Sequence, residues 1–171
     1  FGDHVRWHET ADGERDAFAR RARSAEIEIE VGARGLTAAH LDRYLTVAQE
    51  LSASLLRFVI DDRDYEPEAD AIVAIIGNAL PQLQAANVVL GLENHDRFAA
   101  VDLRSIVDQI GSSHVGVCLD TANSLGAGEG IGEILPILAP VCVNLHLKDY
   151  AIVRLPHQMG FTVEGAPLGE G

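Results

Sequence analysis

The chain alternates between short apolar runs and longer amphipathic stretches, and that alternation sets its elements. Residues 25–31 place Ile27, Ile29 and Val31 on one side and Glu26, Glu28 and Glu30 on the other. This two-residue period predicts a strand, broken by Gly32 and Gly35. Residues 55–60, 87–92, 115–119 and 141–147 are nearly continuous apolar runs, the pattern of strands buried on both faces. Between the strands the period lengthens to that of helices. Residues 12–23 predict a short helix with Phe18 and Ala22 on one face. Thr37 suits the N-cap of a helix through Leu51, with Leu41, Leu45, Ala48 and Leu51 as its stripe. Pro67 fits the first turn of the next helix, whose buried face is Ile72, Ile75, Ile76, Leu80 and Leu83. Residues 101–110 form a helix stopped by Gly111, and residues 131–138 a shorter one containing Pro136. Residues 1–7 hold only part of a further strand, and beyond Tyr150 the pattern fades into a loop bearing Gly and Pro.

Strands separated by helices imply parallel pairing with right-handed crossovers. Two architectures satisfy that rule. A doubly wound nucleotide-binding sheet carries a Gly-rich phosphate turn after an early strand, and Gly32-Ala33-Arg34-Gly35 is too weak for it. A (β/α) barrel instead gathers polar groups at the C-terminal ends of many strands, as this chain does. A full (β/α)8 TIM barrel takes about 250 residues. The expectation for these 171 residues is therefore one domain over 1–171, an incomplete α/β barrel of about six units without the final ones.

Composition narrows the partners. A chain that is 47% hydrophobic can fill a real core, and a formal net charge of -13 repels phosphate backbones, which argues against nucleic acid. No run approaches the roughly 18 apolar residues of a membrane span, and no basic-then-apolar leader opens the chain. Cys118 and Cys142 sit inside apolar runs and read as buried free thiols. Together these features predict a cytoplasmic protein that binds neither membrane nor nucleic acid.

Three of the apolar runs end in the same manner. Residues 88–92 close on Glu93-Asn94-His95, residues 115–119 on Asp120, and residues 141–145 on His146, with Lys148 and Asp149 just beyond. Glu93 and Asp120 are 27 positions apart, and Asp120 and His146 are 26 apart. A barrel brings consecutive strand ends to one mouth, so the three residues converge. Two carboxylates and an imidazole form a site for Mn²⁺, Mg²⁺, Co²⁺ or Zn²⁺, with the oxygen donors favouring Mn or Mg and the imidazole retaining Zn. Crowding such groups at one mouth is costly unless an ion or substrate compensates them.

Glu93-Asn94-His95, Cys118-Leu119-Asp120-Thr121-Ala122-Asn123 and His146-Leu147-Lys148-Asp149 resemble the successive strand-end motifs of the sugar phosphate isomerase/epimerase family, within the xylose-isomerase-like TIM barrel superfamily. The resemblance covers about residues 25–171. It implies one divalent ion held by Glu, Asp, His and a further Glu. Glu93, Asp120 and His146 match the first three, and no residue here matches the fourth. It also implies an enzyme of carbohydrate metabolism, an isomerase or epimerase of a sugar, keto-polyol or sugar phosphate that works through an enediolate. A dehydratase (lyase) of a keto-polyol or cyclic keto acid and a non-catalytic sugar-binding barrel are the alternatives. Ketose epimerases carry His where this chain has Asn123.

In the catalytic reading Glu93 handles the proton, and Lys148 either neutralises oxyanion charge or pairs with Asp149. His95 either orients Glu93 or touches substrate hydroxyls, and Asn123 offers an amide to a hydroxyl. Arg57 either reaches the mouth or pairs with Glu28 or Glu30, while Arg154 and His157 lie in the loop after His146, a common place for substrate contacts. The partner expected is a small sugar or polyol, with a homo-oligomer possible.

Overall fold

A computed structural model describes residues 7–171. Five parallel strands form its sheet: β1 (Glu30–Arg34), β2 (Leu55–Val59), β3 (Val89–Glu93), β4 (Val115–Asp120) and β5 (Cys142–His146). They lie side by side in chain order. Helices α1 (Asp12–Ser24), α2 (Ala38–Leu51), α3 (Ala69–Ala86), α4 (Ala100–Ile110) and α5 (Ile131–Leu138) alternate with them, and each packs on the next. A doubly wound sheet would reverse its strand order at a switch point. The unbroken order, with neighbouring helices in sequence, is instead an arc of a barrel.

Alternation along the strands assigns the two faces of the arc. Leu56 and Phe58, Leu90 and Leu92, and Val117 and Leu119 join Leu41, Ile72, Ile76, Leu103 and Ile106 in one buried core beneath the helices. The opposite face is built differently. Gly32, Arg57, Gly91 and Gly116 lie opposite one another in a row across four strands. The glycines make room. A Cβ on Gly32 would stand 2.6 Å from Arg57 Nη2, and one on Gly116 would stand 2.6 Å from the Val141 carbonyl oxygen.

Local signals place most boundaries. The Thr37 hydroxyl accepts from the His40 N–H at 3.1 Å and caps α2. Gly111, at φ +62°, closes α4 in the left-handed region that favours glycine. Three expectations need correction. Residues 25 and 26 turn out of α1 rather than opening a strand. Glu26 has φ +56°, the Ile27 N–H returns to Ala22 O at 2.9 Å, and Ile27 is 62% exposed. Consequently β1 starts at Glu30 and runs through Gly32. Pro67 precedes α3, whose N-cap is Glu68, instead of sitting in its first turn. After Tyr150 the chain does not stay irregular. β6 (Asp149–Arg154) and β7 (Phe161–Ala166) form an antiparallel hairpin, with Ile152, Val153, Phe161 and Val163 exposed. The further strand expected over residues 1–7 falls almost wholly outside the described residues, and Trp7 lies in a 3₁₀ turn. Among the described residues, no helix is long and apolar enough to cross a membrane.

Candidate metal centre

The C-terminal ends of β3, β4 and β5 meet at one mouth. Glu93 is the last residue of β3, Asp120 of β4 and His146 of β5. His146 Nδ1 lies 3.7 Å from Glu93 Oε1 and 3.9 Å from Asp120 Oδ2. The three residues expected to converge do so.

Glu93 is 6% exposed and held at both oxygens. Arg57 Nη1 donates to Oε2 at 2.7 Å, and Asn123 Nδ2 donates to Oε1 at 2.9 Å. Arg57 thus reaches the mouth, and its carboxylate partner is Glu93, not Glu28 or Glu30. Gly32, opposite Arg57 in β1, has no side chain in the space the guanidinium occupies, where a Cβ would stand 2.6 Å from Nη2.

Asp120 is wholly buried. Its Oδ1 accepts from the N–H groups of Ala122 and Asn123 at 2.9 and 3.0 Å, an Asx turn that starts the loop after β4. Its Oδ2 accepts no hydrogen bond. Lys148 Nζ lies 2.7 Å from that oxygen but off the hydrogen-bonding direction, so the contact is Coulombic. Lys148 also donates to Asn123 Oδ1 at 3.0 Å. The expected alternative, a pair with Asp149, is not formed. Asp149 accepts from the N–H groups of Tyr150, Gly169 and Gly171 at 2.9, 2.8 and 3.2 Å. These bonds, that from Gly169 foremost, hold its carboxyl below the ordinary range.

Several residues that frame the mouth lie in the strand-end motifs but were given no role of their own from the sequence. Asn94, 1% exposed, accepts from the Asp120 N–H at 2.6 Å and donates to Asp120 O at 2.9 Å and to Ser124 Oγ at 2.8 Å. It rivets the end of β3 to that of β4. Thr121 Oγ1 accepts from the Lys148 N–H at 2.8 Å and donates to the Lys148 carbonyl at 2.7 Å, which fixes the chain beyond β5. Cys118 lies opposite Glu93 in the β3–β4 register. Glu93, Cys118 and His146 each offer a donor atom, and the three lie within 4.8 Å of one another. Burial, reinforced by the Glu93 charge, pushes the Cys118 thiol up to about 12.

The remaining expected contacts lie farther out. His95 turns to Asp96, its Nδ1 3.1 Å from Oδ2. Arg154 and His157 ride on the exposed hairpin, where His157 Nδ1 accepts from the Met159 N–H at 3.2 Å. Among the described residues, none of these three hydrogen-bonds or ion-pairs with Glu93, Asp120 or His146.

Comparison with known proteins identifies the fold and the family. Residues 6–171 match the model of the xylose isomerase-like TIM barrel family, and the chain belongs to that family. A curated relative, 3-oxo-isoapionate decarboxylase of Pectobacterium atrosepticum, is 36% identical over 158 residues, 92% of this chain and 58% of the relative. The chain spans about half the length of the curated relatives it matches. The xylose isomerase domain protein of Planctomyces limnophilus superposes with TM-score 0.75 at 15% identity, covering 96% of this chain and 69% of the other. A D-psicose 3-epimerase solved in the presence of D-fructose gives TM-score 0.73 at 16% identity, covering 88% and 64%. Structures with this fold also include one with bound zinc and one with bound magnesium.

Proposed function

We propose that this chain is part of a divalent-metal-dependent enzyme that converts a keto-sugar, keto-polyol or sugar acid through an enediolate. One observation carries the reading. Asp120 Oδ2 is buried without a hydrogen bond and faces an imidazole, beside a second buried carboxylate. Two buried carboxylates at one mouth are expensive without positive charge beside them, and the Lys148 ammonium 2.7 Å from Oδ2 and a divalent cation both supply it. Glu93, Asp120 and His146 fit a borderline or hard divalent ion and would hold it. The chemistry such an ion supplies is polarisation of a carbonyl and its neighbouring hydroxyl, which acidifies the C–H bond between them.

The chain's own groups do the rest. Arg57 balances the charge on Glu93 and fixes its orientation, while Asn123 aligns the oxygen nearest His146. Glu93 Oε1 is therefore the positioned acceptor for a substrate proton. Lys148, half-exposed at the rim, directs its N–H donors and positive charge at the mouth, where an enediolate oxygen gains charge. Return of the proton to the neighbouring carbon gives isomerisation, and return to the opposite face of the same carbon gives epimerisation; together these are the first reading.

The decarboxylase relative favours a second reading. Loss of CO₂ from a sugar-derived 3-oxo acid leaves the same kind of enediolate and needs the same charge stabilisation. Incubating the full-length protein with keto-sugars and with sugar-derived 3-oxo acids in D₂O separates the two. Deuterium incorporation with every carbon retained supports the first reading, and CO₂ release supports the second. Neither outcome across both substrate classes would count against an enediolate enzyme.

A further inference from the structure

We propose that the ion pocket is a mixed-donor site in which Cys118 Sγ joins Glu93 and His146, so that a thiophilic divalent cation of the zinc and cadmium class binds through a metal–sulfur bond. The inference rests on the ion site of the preceding section and goes beyond it, because hard oxygen donors alone would favour Mg²⁺ or Mn²⁺. Geometry selects Cys118. It faces Glu93 directly across β3 and β4, and β4 alternation puts its side chain on the same face as that of Asp120. Between Val117 and Cys118 the register of β4 against β5 shifts, which brings Asp120 opposite His146. As a result donor atoms of Glu93, Cys118 and His146 lie within 4.8 Å of one another.

The second thiol is not part of this group. Cys142 Sγ is directed to the Asn144 carbonyl at 3.0 Å. Asp120 Oδ2, 3.9 Å from His146 Nδ1 and 2.7 Å from Lys148 Nζ, borders this group. Thiolate with imidazole and carboxylate is a donor set that suits zinc and cadmium, whereas magnesium and manganese have little affinity for sulfur. Forming the bond releases the thiol proton to solvent, and the doubly charged ion takes its place.

The test is cadmium titration of the metal-free full-length protein, followed by the ultraviolet sulfur-to-cadmium charge-transfer band. The wild type should show the band at one equivalent. Cys118→Ser and Cys118→Ala should lose it while still binding Mn²⁺, and Cys142→Ser should keep it. Cadmium-113 resonance of the wild type gives a readout that does not depend on a variant folding, with a sulfur-ligated shift expected. Cadmium bound without the band, a band that survives loss of Cys118, or an oxygen- and nitrogen-only shift would overturn the proposal and leave the ion site standing. Failure of the wild type to bind either Cd²⁺ or Mn²⁺ would remove the ion site itself, and the proposal with it.

Discussion

Arg57 Nη1 donates to Glu93 Oε2 at 2.7 Å, joining the middle of β2 to the end of β3 in a site where both side chains are largely shielded from solvent. Removing one partner strands the other as a buried, unpaired charge, the case in which ion pairs matter most. Arg57→Met should cost about 3–5 kcal/mol of stability. Adding Glu93→Gln should recover much of that loss. Denaturant unfolding of the two single variants and the double variant measures the coupling.

The glycine beside that pair makes a separate prediction. A Cβ on Gly32 meets the movable end of Arg57, whereas one on Gly116 meets the Val141 carbonyl at 2.6 Å as well as the Val143 side chain. Gly116→Ala should therefore destabilise the fold by about 1–3 kcal/mol. Gly32→Ala should leave stability closer to wild type and act on divalent-ion affinity through the displaced guanidinium. Thermal melts paired with ion titration distinguish the two effects.

Asn94 tests whether the strand ends must be tied. Asn94→Ala leaves the Asp120 N–H without its partner in a buried place, which should cost about 1–3 kcal/mol. The same change should weaken ion binding, because it frees the backbone that aims Asp120. A stability loss with unchanged ion affinity would show that Asn94 serves the fold alone.

Although β5 itself is not buried, most of the site was legible because each apolar run turns polar at one point, and parallel order then carries those points to one mouth. The residues that frame it were not. Of the two cysteines expected as buried free thiols, Cys118 is buried and Cys142 only partly; the closeness of Cys118 to Glu93 depends on strand register, and its grouping with His146 on a local register shift in β4 against β5. The alternation over residues 25–31 misled because the chain is still leaving α1 at Glu26, and a tertiary turn overrode the pattern. The β6–β7 hairpin stayed hidden because almost none of it is buried, so no apolar face marks it. Arg57 was left between two readings because its room depends on Gly32 in β1, which becomes its neighbour only once the sheet is paired.

Asp149 gives a pH signature. Its carboxyl is lowered from 3.8 by the N–H groups it accepts, Gly169 first. A lowered folded value means the stabilisation is complete above the ordinary carboxylate range and is lost as pH falls through the folded value. The Gly169 amide resonance should titrate with a midpoint below 3.8, and Asp149→Asn should abolish that titration. A midpoint above the ordinary value would contradict the hydrogen-bond account.

The most direct test of the central claim is the stoichiometry of Mn²⁺ binding to the full-length protein and to Asp120→Ala and His146→Ala, measured by calorimetry near neutral pH. The account predicts one ion per chain in the wild type and loss of that ion in both variants. A wild type that binds no divalent ion, or variants that bind it as the wild type does, would contradict it.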